Sequence, residues 1–113
     1  MKNKIPVAIL GANGSVGQRF VQLLQNHPWF EIKVLTGSDR SIGKPYSQSC
    51  HWILPESMPE NVAGMVLQDN EDALKECQIG FSAMPADQAR EVEPILASAG
   101  LAVVSNASAF RME

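Results

Sequence analysis

The feature that most narrows what this chain can fold into is a turn with three evenly spaced glycines, Gly11, Gly14 and Gly17. It lies between a β-rich run and a helical pattern. The run before it, Ile5-Pro6-Val7-Ala8-Ile9-Leu10, is continuously apolar, as expected of a strand covered on both faces. After it, Val16, Phe20, Val21, Leu23 and Leu24 recur at helical spacing. That helix is expected to end near His27-Pro28, because proline disfavours helical geometry in the residue before it.

The rest of the chain repeats the alternation. Phe30 to Leu35 reads as a second strand, followed by a polar loop rich in Gly, Ser and Pro from Thr36 to about Pro59. Val62 to Leu67 gives a weaker third strand, and Asp69 to Glu76 a short acidic helix. Between residues 43 and 64 the pattern specifies little else. Ile79-Gly80-Phe81 is a fourth strand running into Ser82-Ala83-Met84-Pro85. From Ala86, the positions Ala89, Val92, Ile95, Leu96 and Ala99 mark another helix, with Gly100 as its C-terminal cap. Leu101 to Val104 is a fifth strand. Such alternation predicts an α/β fold: a parallel sheet with right-handed crossovers and helices on both faces. Its natural topology is a Rossmann-like half with strand order 3-2-1-4-5. At 113 residues, the whole of 1–113 is read as one dinucleotide-binding domain with no substrate domain.

Composition removes several classes of function. Nine basic and 12 acidic side chains leave a net charge of -3, so nothing draws the chain to nucleic acid or an anionic membrane. Any anion site must be built locally. The apolar run at Ile5–Leu10 is too short and too glycine-bounded for a signal peptide or a membrane span, and a cytoplasmic location is expected. Cys50 and Cys77 show no CxxC spacing, so neither a disulfide framework nor a metal site is expected. His27, Trp29, Trp52 and the methionines read as surface or packing residues, and Cys77 as a small buried hydrophobe.

The glycine turn carries the chemistry. Gly11-Ala12-Asn13-Gly14-Ser15-Val16-Gly17 spaces its glycines as GxxGxxG, a variant of the commoner GxGxxG. Small residues let the backbone turn sharply and approach a pyrophosphate, and the helix start offers unpaired N–H groups and a positive dipole end. Gly11 would serve the tight turn, Gly14 the close approach, and Gly17 the packing of helix on strand. A purely structural turn is the alternative. The end of the second strand decides the dinucleotide. An acidic residue there accepts from a ribose 2′-hydroxyl, whereas an arginine accommodates a 2′-phosphate. Both are present in Gly37-Ser38-Asp39-Arg40-Ser41-Ile42-Gly43-Lys44. The several donors favour NADP, with Asp39 turned away. The alternative makes Arg40 and Lys44 solvated loop charges.

Four segments together resemble the aspartate-semialdehyde dehydrogenase family in its archaeal and fungal-type branch: GANGSVGQRF at 11–20, GSDRSIGKPY at 37–46, FSAMPAD at 81–87 and VSNASAFRM at 104–112. In that family the first segment binds pyrophosphate, which assigns Gly11, Asn13, Gly14, Ser15 and Val16 to the cofactor. By the same likeness Ser38, Arg40 and Ser41 hold the 2′-phosphate, and Ser82, Ala83 and Pro85 border the nicotinamide side. Asn106 falls in the strand-end turn beside the cofactor. Arg111 matches the arginine that takes the substrate's anionic group, and a guanidinium past a strand's carboxyl end suits ligand binding in an open α/β sheet. The alternative for Arg111 is a surface residue near the terminus.

The resemblance implies reduction of aspartyl phosphate by NADPH to the semialdehyde, as a step of amino-acid biosynthesis (lysine, threonine and methionine). A cysteine forms a thioester and a histidine acts as acid and base. The family's cysteine lies in an Asn-Cys motif that nothing in this chain matches. Cys50 adjoins His51, but neighbours on an extended segment point to opposite faces and the position departs from the family pattern. No catalytic residue is therefore expected here, and residues 1–113 alone are expected to be inactive. The intact enzyme is expected to be a homo-oligomer, and the chain by itself to self-associate through surface left uncovered. Malonyl-CoA reductase and N-acetyl-glutamyl-phosphate reductase share the turn and the cysteine chemistry and stay open as alternatives. So does a stand-alone nucleotide-binding module without catalysis.

Overall fold

The computed structural model describes residues 4–25, 27–37, 41–49 and 51–105. Elements follow in the order β1 (Ile5–Leu10), α1 (Ser15–Leu23), β2 (Phe30–Leu35), α2 (Tyr46–Ser49), α3 (Glu60–Ala63), α4 (Asp72–Glu76), β3 (Ile79–Ser82), α5 (Ala86–Ser98) and β4 (Ala102–Ser105). The sheet is four-stranded and all parallel, in the order β2-β1-β3-β4.

Alternation along β1 builds two cores at once. Val7 and Ile9 face one layer with Val21, Leu24 and Leu35, while Ala8 and Leu10 face the other with Val34, Ala89 and Leu96. A register shift opposite Val7/Ala8 aligns Ala8 with Val34 and Ile9 with Leu35, so each pair shares a face. All four β1 residues from Val7 to Leu10 are fully buried. Burial of each large one contributes roughly 2 kcal/mol. On the first face Phe20 of α1 packs tilted on Phe81 of β3, with ring centroids 5.5 Å apart. Layers on both faces are what a continuously apolar central strand requires.

The structure corrects the expected elements in three places. The third strand does not form. Val62 lies buried in α3, Gly64 caps that short helix, and the remainder makes only single bridges, Pro45 with Val66 and Thr36 with Gln68. The parallel Thr36–Gln68 bridge occupies the place beside β2 where the expected third strand would have paired, so order 3-2-1-4-5 becomes its four-stranded remainder. Val62 and Leu67 bury their side chains without a ladder, which is why their spacing imitated a strand. Next, α1 ends at Leu23 rather than near His27-Pro28. The following bonds, Gln25 N–H to Gln22 O and His27 N–H to Leu24 O, are the tighter kind that closes a helix. Last, Ile95 stands outside on α5, 65% exposed, and Leu96 alone of that pair is buried. Gly100, at φ 110°, closes α5 as expected. Among the described residues no helix is long and apolar enough to cross a membrane.

Candidate functional site

The three glycines of the turn are needed for different reasons. Gly11 sits at φ +75°, and a Cβ there would come within 3.1 Å of Met84 Cγ and 3.3 Å of the Met84 backbone. At Gly17 a Cβ would lie 2.6 Å from the carbonyl oxygen of Gly11 and 2.7 Å from Ala12 Cα, so α1 can cross β1 this closely only without a side chain. Gly14 differs from both. Nothing in the protein lies within 4 Å of where its Cβ would be. As N-cap of α1, Gly14 brings no side chain to the helix start, and no side-chain cap bond is present there among the described residues. The donors of the first turn are left for ligand or water.

Thr36, fully buried just past β2, fixes the entry to this turn. Its hydroxyl accepts from the Gly11 N–H at 3.0 Å, and its carbonyl accepts from the Ala12 N–H at 2.9 Å. Those two amides are thus committed inside the protein, and anion-binding capacity is concentrated at the start of α1. The Thr36 hydroxyl in turn donates to Asn70 Oδ1 at 2.6 Å, leaving the Asn70 amide to donate weakly to Met84 Sδ at 3.8 Å.

A cavity of about 290 Å³ opens between these groups. The turn contributes Gly11, Asn13 and Gly14; the end of β2 contributes Thr36 and Gly37. Asn70, Ala83, Pro85 and Gln88 close the other side. It lies at the carboxyl ends of the central strands, where ligands bind in open α/β sheets. A larger cavity of about 430 Å³ lies at the opposite ends of β1 and β2, bounded by Lys4, Phe30, Glu31 and Glu60 among others. It has charges of both signs and no helix start of useful length. Volume alone would choose it; the chemistry of the walls favours the smaller one.

Residues 41–49 and 51–53 are strapped across the back of the turn. Tyr46, fully buried, donates its hydroxyl to Ala12 O at 2.7 Å. Asn13 Nδ2 donates to Ser49 O at 3.1 Å and to the Ser41 hydroxyl at 3.4 Å. Gln18, on the buried side of α1, bonds to His51 and Ile53.

The structure brings Gly11, Asn13, Gly14, Ala83 and Pro85 of the expected site to the walls of the smaller cavity. Ser15 and Val16 form the first turn of α1. Ser41 reaches the site through Asn13. Ser82 is buried behind it, with no partner for its hydroxyl among the described residues. Ser38, Asp39, Arg40, Cys50, Asn106 and Arg111 lie outside the described residues. Thr36, Tyr46, Asn70 and Gln18 are missed by the sequence reading. A glutamine on the apolar face of α1, three positions before the buried Val21, is the one signal that pointed to any of them. Cys77 is no nucleophile: burial, then the nearby Glu76, push its thiol up to about 11, against a smaller opposing effect of Lys33.

A parallel sheet, a glycine turn opening a helix, and a cavity at the strands' carboxyl ends together define a Rossmann-type α/β domain. The chain belongs to the semialdehyde dehydrogenase NAD binding domain family, whose pattern it matches over residues 6–113. It is 50% identical over 110 residues to the aspartate-semialdehyde dehydrogenase of Methanothermobacter thermautotrophicus, covering 96% of this chain and 31% of that protein. To the Saccharomyces cerevisiae aspartate-semialdehyde dehydrogenase it is 44% identical, again covering 31% of the relative. The crystal structure of the Candida albicans aspartate-semialdehyde dehydrogenase with NADP superposes with a TM-score of 0.88 at 44% identity, covering 98% of this chain and 32% of that one. The chain therefore spans about a third of the length of these relatives.

Proposed function

We propose that residues 1–113 are the dinucleotide-binding domain of an NADP-dependent aspartate-semialdehyde dehydrogenase, which reduces an acyl phosphate, aspartyl phosphate, to the aldehyde. The observation that carries the reading is the open side of Gly14, which faces the cavity beside an uncapped helix start. A diphosphate fits such a cradle, because backbone N–H groups and the helix dipole offer positive potential where no side chain intrudes. Gly11, Asn13, Gly14, Ser15 and Val16 take the diphosphate, and Ser38, Arg40 and Ser41 take the 2′-phosphate. Ser82, Ala83, Pro85 and Asn106 flank the nicotinamide, and Arg111 receives the anionic group of the substrate. When bound, NADPH supplies the hydride. This chain's residues bind and orient it. By the family resemblance a cysteine nucleophile and an acid/base histidine do the chemistry, and nothing in residues 1–113 matches the Asn-Cys motif, so these residues alone should give no turnover. The intact enzyme is assigned to the cytoplasm and to a homo-oligomer. Exposed Leu23, Trp29, Ile95 and Val104 give the isolated chain apolar surface through which to self-associate.

Other acyl reductases with the same turn are the second reading. They are disfavoured because the relatives above, matched over nearly the whole chain, are aspartate-semialdehyde dehydrogenases. Titration with NADPH and NADH, followed by tryptophan fluorescence or heat, tests the cofactor assignment. NADPH should bind more tightly, and Arg40→Ala should abolish most of the preference, roughly tenfold or more for a lost charge-assisted contact. Equal affinity for the two cofactors would refute the phosphate-pocket assignment.

A further inference from the structure

Asn70 lines the smaller cavity with the two ends of its carboxamide used unequally. The Thr36–Gln68 bridge, and the bond from the Gly37 N–H to Gln68 O at 3.3 Å, bring this part of the chain in beside the end of β2. From there the Asn70 side chain reaches toward Met84, which follows β3. It is half-buried, and it comes from neither the glycine turn nor the loop after Gly37.

Thr36 decides which way the carboxamide faces. Its buried hydroxyl already accepts the Gly11 N–H at 3.0 Å, which leaves its own proton to be donated. The 2.6 Å separation from Asn70 suits an O–H donating to a carbonyl oxygen and is shorter than the usual range for an amide N–H. Oδ1 is therefore turned to Thr36, and Nδ2 is left with two protons on the other branch. One of them meets Met84 Sδ at 3.8 Å, a weak acceptor. The second has no partner among the described residues. A donor held in place by a buried hydroxyl and left unused by its own protein is a ready contact for a ligand in the cavity.

We propose that Asn70 is a further cofactor-binding residue, donating from Nδ2 to the adenosine half of the dinucleotide. In doubly wound folds the end of β2 faces that half, and Asn70 is tied to the first residue past β2. With its oxygen already occupied, the carboxamide can only donate, so it selects a ring nitrogen or sugar oxygen with a lone pair. The inference rests on the cofactor reading above and adds to it a residue that the family likeness did not assign.

The test sets 2′-phospho-ADP-ribose, the adenosine half of NADP, against inorganic pyrophosphate. Each displaces NADPH from the unmodified protein and from Asn70→Ala. The variant should bind 2′-phospho-ADP-ribose roughly fivefold more weakly and pyrophosphate within about twofold of the unmodified protein. A residue that only steadies the glycine turn through Thr36 would weaken both competitors together. An equal loss for both, or no change for either, therefore overturns the proposal. Should Asn70→Ala fail to fold, the NMR resonances of the Asn70 side-chain amide in the unmodified protein decide the matter. A shift on saturation with 2′-phospho-ADP-ribose that pyrophosphate does not produce supports the contact; resonances that stay in place, or move alike with both, overturn it. A negative result in a protein that binds NADPH removes this proposal alone. If the unmodified protein binds neither NADPH nor 2′-phospho-ADP-ribose, the cofactor reading falls, and this proposal with it.

Discussion

The glycine turn and the strap that covers it meet at Asn13, on the wall of one cavity, yet they are specified in opposite ways. In the turn, each glycine answers to a contact within a few residues or across one strand: φ at Gly11, the 2.6 Å approach at Gly17, the vacant side of Gly14. The strap owes its path to partners far off in sequence. Tyr46 reaches Ala12, and Gln18 reaches His51 and Ile53, across 33 to 35 positions. Among the described residues, two of the three secondary elements between Leu35 and Ile79 are four-residue helices with little propensity of their own. A local rule specifies the turn. A set of side-chain hydrogen bonds to backbone specifies the strap.

The contrast breaks most severely at Gly17. Gly17→Ala places a methyl group against the backbone of Gly11 and Ala12, which cannot swing aside as a side chain can. It should cost about 3 kcal/mol or more of stability, read as a lowered urea midpoint. A loss under about 1 kcal/mol would mean that the helix crossing is adjustable.

Tyr46→Phe sharpens the other side of the comparison. It removes the hydroxyl from a fully buried site and leaves Ala12 O without that donor. The expected cost is about 1–2 kcal/mol in the same unfolding measurement. If the strap is held by packing alone, the variant will unfold with the unmodified protein.

The smallest effect belongs to Cys77, remote from both regions. Its proton is favoured in the folded state, with the thiol moved from 9.0 to about 11. The stabilising contribution is thus complete below pH 9 and is lost as pH rises toward 11. Alkylation by iodoacetamide at pH 8 should be slower in the folded protein than in urea. Equal rates would remove the assignment of Cys77 as a half-buried, inert thiol.

The same contrast explains what could be read from sequence. β1 and β3 were legible because buried parallel strands show as apolar runs, β2 because Phe30, Ile32 and Val34 alternate with the exposed Glu31 and Lys33, and α5 because Ala89, Val92 and Leu96 keep helical spacing and Gly100 stops it. The roles of Gly11 in the turn and Gly17 in helix packing were legible because strand-turn-helix context assigns them. The third strand was misread because Val62, Met65 and Leu67 reach the core from a short helix and a loop, and spacing cannot tell that from a strand. Thr36 and Tyr46 were invisible, and Gln18 showed only as a polar residue on an apolar face, for a related reason: a buried polar residue declares itself chiefly through its partners, and those lie 25 to 35 positions away.

Gly14 separates binding from folding and so bears on the central claim most directly. NADPH titration of Gly14→Ala, alongside its unfolding curve, is the measurement. A Cβ there meets no protein atom, so stability should fall by less than about 1 kcal/mol, the scale of an N-cap change. The methyl group would occupy the space reserved for the diphosphate, and NADPH affinity should drop by more than roughly tenfold. A stably folded Gly14→Ala that binds NADPH as tightly as the unmodified protein would contradict the account.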